Sequence, residues 1–145
     1  GKNVAPLVIE ESMKSIPIVS QCFLVGDNRK FCSALITLDM SVILRDYIGV
    51  DVNEIPKDPS KQNEMILANN KKLSDYTDNQ DIFEKVSDDI QKLNQNFSSP
   101  EQIKKFSILP RDFSIDDGEL TPTLKIRRKQ INENWASVIE DMYSE

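Results

Sequence analysis

From residue 18 to residue 38 the chain reads Ile18-Val-Ser-Gln-Cys-Phe-Leu-Val-Gly-Asp-Asn-Arg-Lys-Phe-Cys-Ser-Ala-Leu-Ile-Thr-Leu38. Residues 18–25 and 31–38 are apolar runs rich in residues that favour strands. Between them lies Gly26-Asp-Asn-Arg-Lys30, whose glycine, aspartate and asparagine are typical of a tight turn. The pattern predicts a β-hairpin, which is the strongest structural signal in the sequence.

Two helices are predicted close to the hairpin. Residues 9–15 can form a short helix that stops before Pro17, with acidic residues in its first turn, where they favour the helix dipole. On the other side, Asp39 can cap a helix that runs to Ile48. Gly49 then lies where a helix C-terminus prefers glycine.

The middle of the chain is predicted to be helical. Residues 51–60 contain two prolines and are expected to form a loop, and Asp58-Pro59 can begin a helix over residues 60–73. From Asp81 onward, apolar residues recur at intervals of four, four, three and four, which predicts one apolar stripe along a helix. The residues of this stripe are Ile82, Val86, Ile90, Leu93 and Phe97.

The C-terminal part adds a strand, a loop and a helix. Residues 106–109 are a candidate third strand, and residues 111–124 are loop-like, with Asp116-Asp-Gly118 expected to be a plain turn because a calcium loop needs further spaced ligands. A last helix over residues 126–143 would place four apolar side chains on one face. They are Ile131, Trp135, Val138 and Met142. The predicted fold class is α+β, a small antiparallel sheet of about three strands with flanking helices, and residues 1–145 form a single domain.

Composition excludes several functions. The 24 carboxylates exceed the 18 lysines and arginines, which argues against nucleic acid as a partner because such binding depends on neutralising phosphates. No run approaches the roughly 20 apolar residues that span a bilayer, so no transmembrane segment is predicted.

The chain has no histidine, which removes Ser-His and Cys-His nucleophiles and the common zinc sites. No metal site is predicted, and Cys22 and Cys32 are expected to be buried thiols in a reducing compartment.

The densest positive cluster is Lys125-Ile-Arg-Arg-Lys129, with four cations in five residues of an acidic chain. It lies where a proline-containing loop meets the last predicted helix. A lysine there can be delivered into a partner site, and its compact ammonium suits charge that develops on a phosphoryl group. The alternative is a solvated basic first turn, and the spacing alone does not decide between the two.

Two separated segments carry a resemblance. The chain begins with Gly1-Lys-Asn-Val-Ala-Pro-Leu-Val-Ile-Glu10 and later contains Gly118-Glu-Leu-Thr-Pro-Thr-Leu-Lys-Ile-Arg-Arg128. In this order and at this separation, they resemble the segment after the interdomain hinge and the catalytic-lysine element of AMP-forming long-chain fatty-acyl-CoA synthetases, including bubblegum-type and bacterial ligases. The predicted hairpin is similar to the central hairpin of that family's C-terminal domain. Residues 40–102 would then be a family-variable helical region.

The resemblance implies that Lys125 is the catalytic lysine of a fatty-acid-CoA ligase that uses ATP and CoA as cosubstrates. In the family, this lysine enters the active site during adenylation and contacts the carboxylate and the phosphate. An N-terminal AMP-binding domain is the implied partner, and it would hold the fatty acid, ATP and most contacts to Mg²⁺. The isolated chain is therefore expected to be inactive, and the parent enzyme to be cytoplasmic, with peripheral membrane association as a further option.

The resemblance also implies contacts to CoA. Gly1 aligns with a glycine of the loop that lines the pantetheine tunnel in the family, and Asn3 belongs to the same loop. Arg127 and Arg128 either meet the 3′-phosphate of CoA or pair with acidic neighbours. Leu124 stands where many superfamily members have glycine, a variation typical of the long-chain branch.

Three other residues are expected to have structural roles. Glu10 should support the short helix near the start of the chain rather than take part in chemistry. Trp135 and Tyr143 should be core or interface anchors rather than ligand stackers, because they fall on the apolar side of the last helix. The alternative function, from a different class, is a noncatalytic interaction or regulatory module whose basic helix start binds an acidic partner.

Overall fold

The computed structural model describes residues 5–144. It confirms the α+β fold class, because helices flank one three-stranded sheet. The helices are α1 (Pro6–Met13), α2 (Met40–Val42), α3 (Pro59–Ala68), α4 (Ser74–Thr77), α5 (Gln80–Asn94), α6 (Arg128–Asn134) and α7 (Ala136–Tyr143). A π-helix covers Ile43–Ile48, and short 3₁₀ helices cover Val52–Glu54 and Ser99–Glu101. The strands are β1 (Val19–Val25), β2 (Cys32–Leu38) and β3 (Ile103–Ile108).

The sheet has the order β1-β2-β3, and only part of it is antiparallel. β1 and β2 form the predicted hairpin, with Val25 opposite Ser33. β3, however, runs parallel to β2, with Ala34 opposite Phe106. The prediction that all strands are antiparallel was therefore wrong for β3. This strand also begins at Ile103 rather than at Phe106. The physical reason is the long helical connection between β2 and β3, because a parallel pair needs a crossover that carries the chain back to the same end of the sheet.

β2 is the centre of the fold, and all of its residues are buried. Because neighbouring side chains of a strand point to opposite faces, both faces of β2 need a cover. Its Ala34 and Ile36 belong to the larger hydrophobic cluster, which also contains residues of α1, the π-helix and α5. Its Leu35 belongs to a second cluster, together with residues of α6 and α7. The sheet is thus packed between two groups of helices.

The helices before the middle of the chain differ from prediction at their ends. α1 begins at Pro6 rather than at residue 9, since proline suits the first helical position, and its first turn contains no acidic residue. Asp39 caps α2 as predicted, through a hydrogen bond from the Ser41 N–H at 2.9 Å. The helix then continues in π geometry and ends at Gly49, which has a left-handed φ of 90°.

Two predicted helices are broken. The helix predicted for residues 60–73 ends at Ala68, where the chain turns through Asn70 with a φ of 62°. The helix predicted for residues 126–143 is interrupted at Trp135, whose φ of −116° and ψ of 22° lie outside helical geometry. Periodicity could not reveal the second break, because the apolar spacing of the last predicted helix continues through it.

α5 ends at Asn94, so the prediction that Phe97 belongs to its apolar stripe was wrong. The link between α5 and β3 depends on Asn94. Asn94 is buried, and its amide exchanges two hydrogen bonds with the backbone of Ile103, each at 3.0 Å. This pair sets where β3 begins after the loop that follows α5. The amide therefore substitutes for strand pairing at a point where the chain changes from helix to strand.

We expect Asn94→Ala to lower the free energy of unfolding by about 2 kcal/mol, because it leaves the buried N–H and C=O of Ile103 without these partners. Urea denaturation of the purified chain would measure the change. Gln91→Ala is the matched control, since Gln91 is an exposed residue of the same helix. An Asn94→Ala variant as stable as the control would contradict this role.

Candidate functional site

Lys125 lies on a short hairpin formed by residues 119–127, which we call the lysine hairpin. Its two arms are joined by backbone hydrogen bonds from the Thr121 N–H to the Lys125 carbonyl and from the Arg127 N–H to the Glu119 carbonyl, both at 2.8 Å. The side chain of Lys125 is exposed, and within residues 5–144 no ion pair involves it. The ammonium is therefore available to a ligand while its backbone is fixed.

The tip of the lysine hairpin is a tight turn. The Leu124 N–H donates to the Thr121 carbonyl at 2.8 Å, with Pro122 in the second position of the turn, where its fixed φ is favourable. The Thr121 hydroxyl also accepts from the Lys125 N–H at 3.0 Å. Leu124 has a φ of 65°, a left-handed conformation that costs a residue with a Cβ about 1–2 kcal/mol. A glycine, which has no Cβ, would adopt this conformation without that cost.

The base of the lysine hairpin rests on a buried carboxylate, that of Glu119. This side chain is fully buried and accepts two hydrogen bonds from Arg111, at 2.8 and 3.0 Å. It also accepts from the Ser114 N–H at 3.1 Å, the Asn134 amide at 3.0 Å and the Trp135 indole N–H at 2.8 Å. Burial alone raises the pKa of a carboxyl, but these donors outweigh it and lower the pKa of Glu119 below its ordinary value.

A second buried carboxylate lies where the lysine hairpin leads into α6. Glu10 of α1 accepts from both terminal nitrogens of Arg128, at 2.6 and 2.9 Å, and from the Leu24 N–H at 2.7 Å. The Arg128 guanidinium also lies over the ring of Phe23, 5.4 Å from its centroid. Hydrogen bonding to Glu10 raises the pKa of Arg128. The pair ties α1, β1 and the first residue of α6 together.

The predicted site residues are thus separated into two groups. Lys125 and Arg127 are exposed on the same arm of the lysine hairpin. Arg128 instead pairs with an acidic neighbour, which is one of the two roles that the sequence left open, and a phosphate would have to compete with Glu10 for its N–H groups. Gly1 and Asn3 lie outside the described residues.

The structural expectations for nearby residues are met in part. The prediction that Glu10 supports the short helix from its first turn was wrong: α1 has no acidic residue in its first turn, and Glu10 instead bonds to Arg128 and to the Leu24 N–H. The indole of Trp135 is half-buried and bonds to Glu119, and Tyr143 stacks on Phe31 with ring centroids 4.7 Å apart. Cys22 and Cys32 are both free and buried, and burial raises the pKa of each thiol.

Sequence reasoning missed the supporting network of Glu119. The residue was visible only as one position of the lysine element, and its partner Arg111 lies in a stretch predicted to be loop. Asn134 and Trp135 lie in the segment predicted to be one uninterrupted helix over residues 126–143. The one available signal was a carboxylate next to Leu120 within the element that carries Lys125.

A family model described as the AMP-binding enzyme C-terminal domain matches residues 59–145, which is more than half of the chain. The chain belongs to this family. The match includes the lysine hairpin, β3 and the helices α6 and α7.

Curated relatives extend the similarity over nearly the whole chain. The long-chain-fatty-acid–CoA ligase FadD15 of Mycobacterium tuberculosis is 36% identical over 99% of this chain, which spans 22% of that protein. The long-chain-fatty-acid–CoA ligase ACSBG1 of Rattus norvegicus is 33% identical over 100% of this chain, which spans 20% of that protein. The chain therefore corresponds to about one fifth of the length of these ligases.

Solved structures share the fold. The adenylation domain of a carboxylate reductase from Mycobacterium chelonae superimposes on 100% of the chain with a TM-score of 0.66 at 18% identity, and the chain covers 18% of that structure. The A domain of a carboxylic acid reductase from Segniliparus rugosus, in complex with AMP, gives a TM-score of 0.66 over 99% of the chain at 20% identity, and the chain covers 18% of it. At this identity the likeness shows the fold alone.

Within residues 5–144, no helix combines the length and apolar character needed to cross a bilayer.

We expect Leu124→Gly to give a chain about 1 kcal/mol more stable than Leu124→Ala. Both variants remove an exposed side chain, but alanine keeps the cost of the left-handed conformation, which glycine does not have. Urea denaturation of the two variants side by side would measure the difference. Equal stability would show that Leu124 is not strained at the tip of the lysine hairpin.

We also expect the stabilising effect of Glu119 to depend on pH. A carboxyl whose pKa is lowered by folding stabilises the native state above the pKa of the unfolded chain, and this contribution is lost as the pH falls through the folded pKa. The difference in free energy of unfolding between the wild-type chain and Glu119→Gln should therefore be largest near neutral pH and shrink in acid. Denaturation from about pH 7 to about pH 3 would test this, with exposed Glu133→Gln as the control. A constant difference across the series would contradict it.

Proposed function

We propose that this chain is the mobile C-terminal domain of an ATP-dependent, AMP-forming ligase that converts long-chain fatty acids to acyl-CoA, and that Lys125 is its catalytic lysine. The supporting observation is an exposed ammonium on a hairpin whose base is fixed by a buried carboxylate. The chain's family and its similarity to long-chain-fatty-acid–CoA ligases support the reaction class.

The role of Lys125 follows from the charge changes of adenylation. The carboxylate of the fatty acid attacks the α-phosphate of ATP, and negative charge grows on the phosphoryl oxygens as pyrophosphate leaves. A cation already in position stabilises this charge without reorganising during the reaction. Lysine suits this task because its long stem lets a compact charge reach into a neighbouring domain. In this proposal the preceding AMP-binding domain holds ATP, the fatty acid and Mg²⁺.

Thioester formation would use other residues of the same domain. We propose that Gly1 and Asn3 belong to the loop that approaches the pantetheine arm of CoA, and that Arg127 contacts its 3′-phosphate. Arg127 is the better candidate of the two arginines because its side chain is exposed, whereas Arg128 is held by Glu10. The domain would change orientation between the two half-reactions as a rigid body about a hinge.

In the full-length parent enzyme, Lys125→Ala should slow adenylation by about a hundredfold, because it removes a preorganised charge from the transition state. Thioester formation from supplied acyl-adenylate should change far less. Pyrophosphate exchange measures the first half-reaction, and acyl-CoA production from the adenylate measures the second. The 145-residue chain by itself should show no turnover of fatty acid, ATP and CoA.

Two neighbouring cations serve as comparisons. Lys129→Ala, an exposed lysine on α6, should leave both half-reactions near the wild-type rate. Arg127→Ala should affect only the second half-reaction, as a higher KM for CoA. If adenylation survives in Lys125→Ala, the catalytic assignment is wrong, and a noncatalytic module with a basic helix start becomes the better description.

A further inference from the structure

The network around Glu119 joins three segments that are separate in sequence. Arg111 and the backbone of Ser114 come from the loop after β3, and Asn134 and Trp135 come from the break between α6 and α7. The carboxylate accepts five hydrogen bonds while it is fully buried. A buried charge is tolerated only when it is satisfied in this way, so the geometry of all three segments is coupled to one side chain.

The backbone of Glu119 closes the lysine hairpin at its base. Its N–H donates to the Ser114 carbonyl at 3.0 Å, and its carbonyl accepts from the Arg127 N–H at 2.8 Å. The hairpin therefore projects from Glu119, and Lys125 lies two residues before the point where the second arm returns to it. A rotation of the Glu119 peptide would move both arms together.

We infer that Glu119 is a positioning residue for Lys125, holding the base of the lysine hairpin so that the ammonium is presented in one place. This inference rests on the proposed function, since it assigns to Glu119 a role in the reaction of Lys125. Glu119 itself touches no reacting atom, because its carboxylate is buried beneath the hairpin and fully occupied by protein donors.

Two properties of the hairpin make such a support necessary. Its tip contains Leu124 in a left-handed conformation, and strain of this kind persists only where the surrounding structure over-determines it. Lys125 must also act on a substrate held by another domain, where a displacement of about 1 Å can cost a hundredfold in rate. A loose base would allow the tip to relax and the ammonium to move.

The substitution that isolates this role is Glu119→Gln. It keeps the size of the side chain but places an NH₂ group among Arg111, Asn134 and Trp135, all of which are donors. At least one donor must turn away, so the base should loosen without a cavity. Asn94→Ala is the matched control, because it also removes buried hydrogen bonds but belongs to the α5–β3 link on the side of the other hydrophobic cluster.

The first measurement is amide hydrogen exchange of the chain by NMR. In Glu119→Gln, the amides of Thr121 and Arg127 should exchange at least about tenfold faster than in the wild type, because their acceptors lie within the lysine hairpin. In Asn94→Ala, the same two amides should keep their wild-type rates. Should Glu119→Gln not fold, Trp135→Phe removes a single donor and should give a smaller change in the same direction.

The second measurement is the rate of each half-reaction in the full-length parent enzyme. Glu119→Gln should lower kcat of adenylation by about ten- to a hundredfold at a temperature well below unfolding, with little change in the KM for ATP and in thioester formation from acyl-adenylate. Asn94→Ala should lower the rates of the two half-reactions by the same factor, because it changes only the fraction of the enzyme that is folded. This split distinguishes positioning from general stability.

The outcomes separate the two levels of the proposal. Unchanged exchange in the lysine hairpin, or an equal loss of both half-reactions in Glu119→Gln, would overturn the positioning role even when Lys125→Ala abolishes adenylation. Retention of adenylation by Lys125→Ala would reject the proposed function, and with it the positioning role, whatever the exchange rates show. Faster exchange together with a selective loss of adenylation supports both.

Discussion

The complete burial of β2 is the constraint on which the rest of the structure depends. A strand with no exposed face cannot be stable in a two-stranded hairpin, so helices must cover the sheet on both sides. The first cover comes from α1, the π-helix and α5, and the second from α6 and α7. The chain reaches the second group of helices, α6 and α7, only after β3, through the loop and the lysine hairpin. These two segments therefore form the junction between the two groups of helices.

At that junction, two buried carboxylates take the place of apolar packing. Glu10 reaches from the first cover to the start of α6, and Glu119 connects the loop after β3 to the break at Trp135. Buried ion pairs often add little net stability compared with apolar contacts of the same volume. Their directional hydrogen bonds do, however, specify one arrangement of the segments that they join. This is what a domain needs if it must present Lys125 to a separate partner.

The parts of the fold that could be predicted are those encoded by neighbouring residues. The hairpin of β1 and β2, the Asp39 cap and the α5 stripe as far as Leu93 all follow from local chemistry and spacing. The parallel pairing of β3 could not be predicted, because it depends on where a long connection returns the chain. The element around Lys125 was visible through family resemblance, whereas its support by Glu119 depends on donors scattered from Arg111 to Trp135.

The tip of the lysine hairpin needs a residue in the left-handed conformation, whereas its base needs to be held in one place. Together, these two requirements explain why a leucine can precede Lys125. A glycine in place of Leu124 would remove the left-handed strain, yet it would also widen the range of conformations open to the tip. Leucine restricts that range but adopts the required φ only if both arms are held by something stronger than the turn itself. The five hydrogen bonds to the Glu119 carboxylate are such a restraint. A restrained base therefore allows a residue other than glycine at the tip, and the lysine gains a more rigid backbone from it.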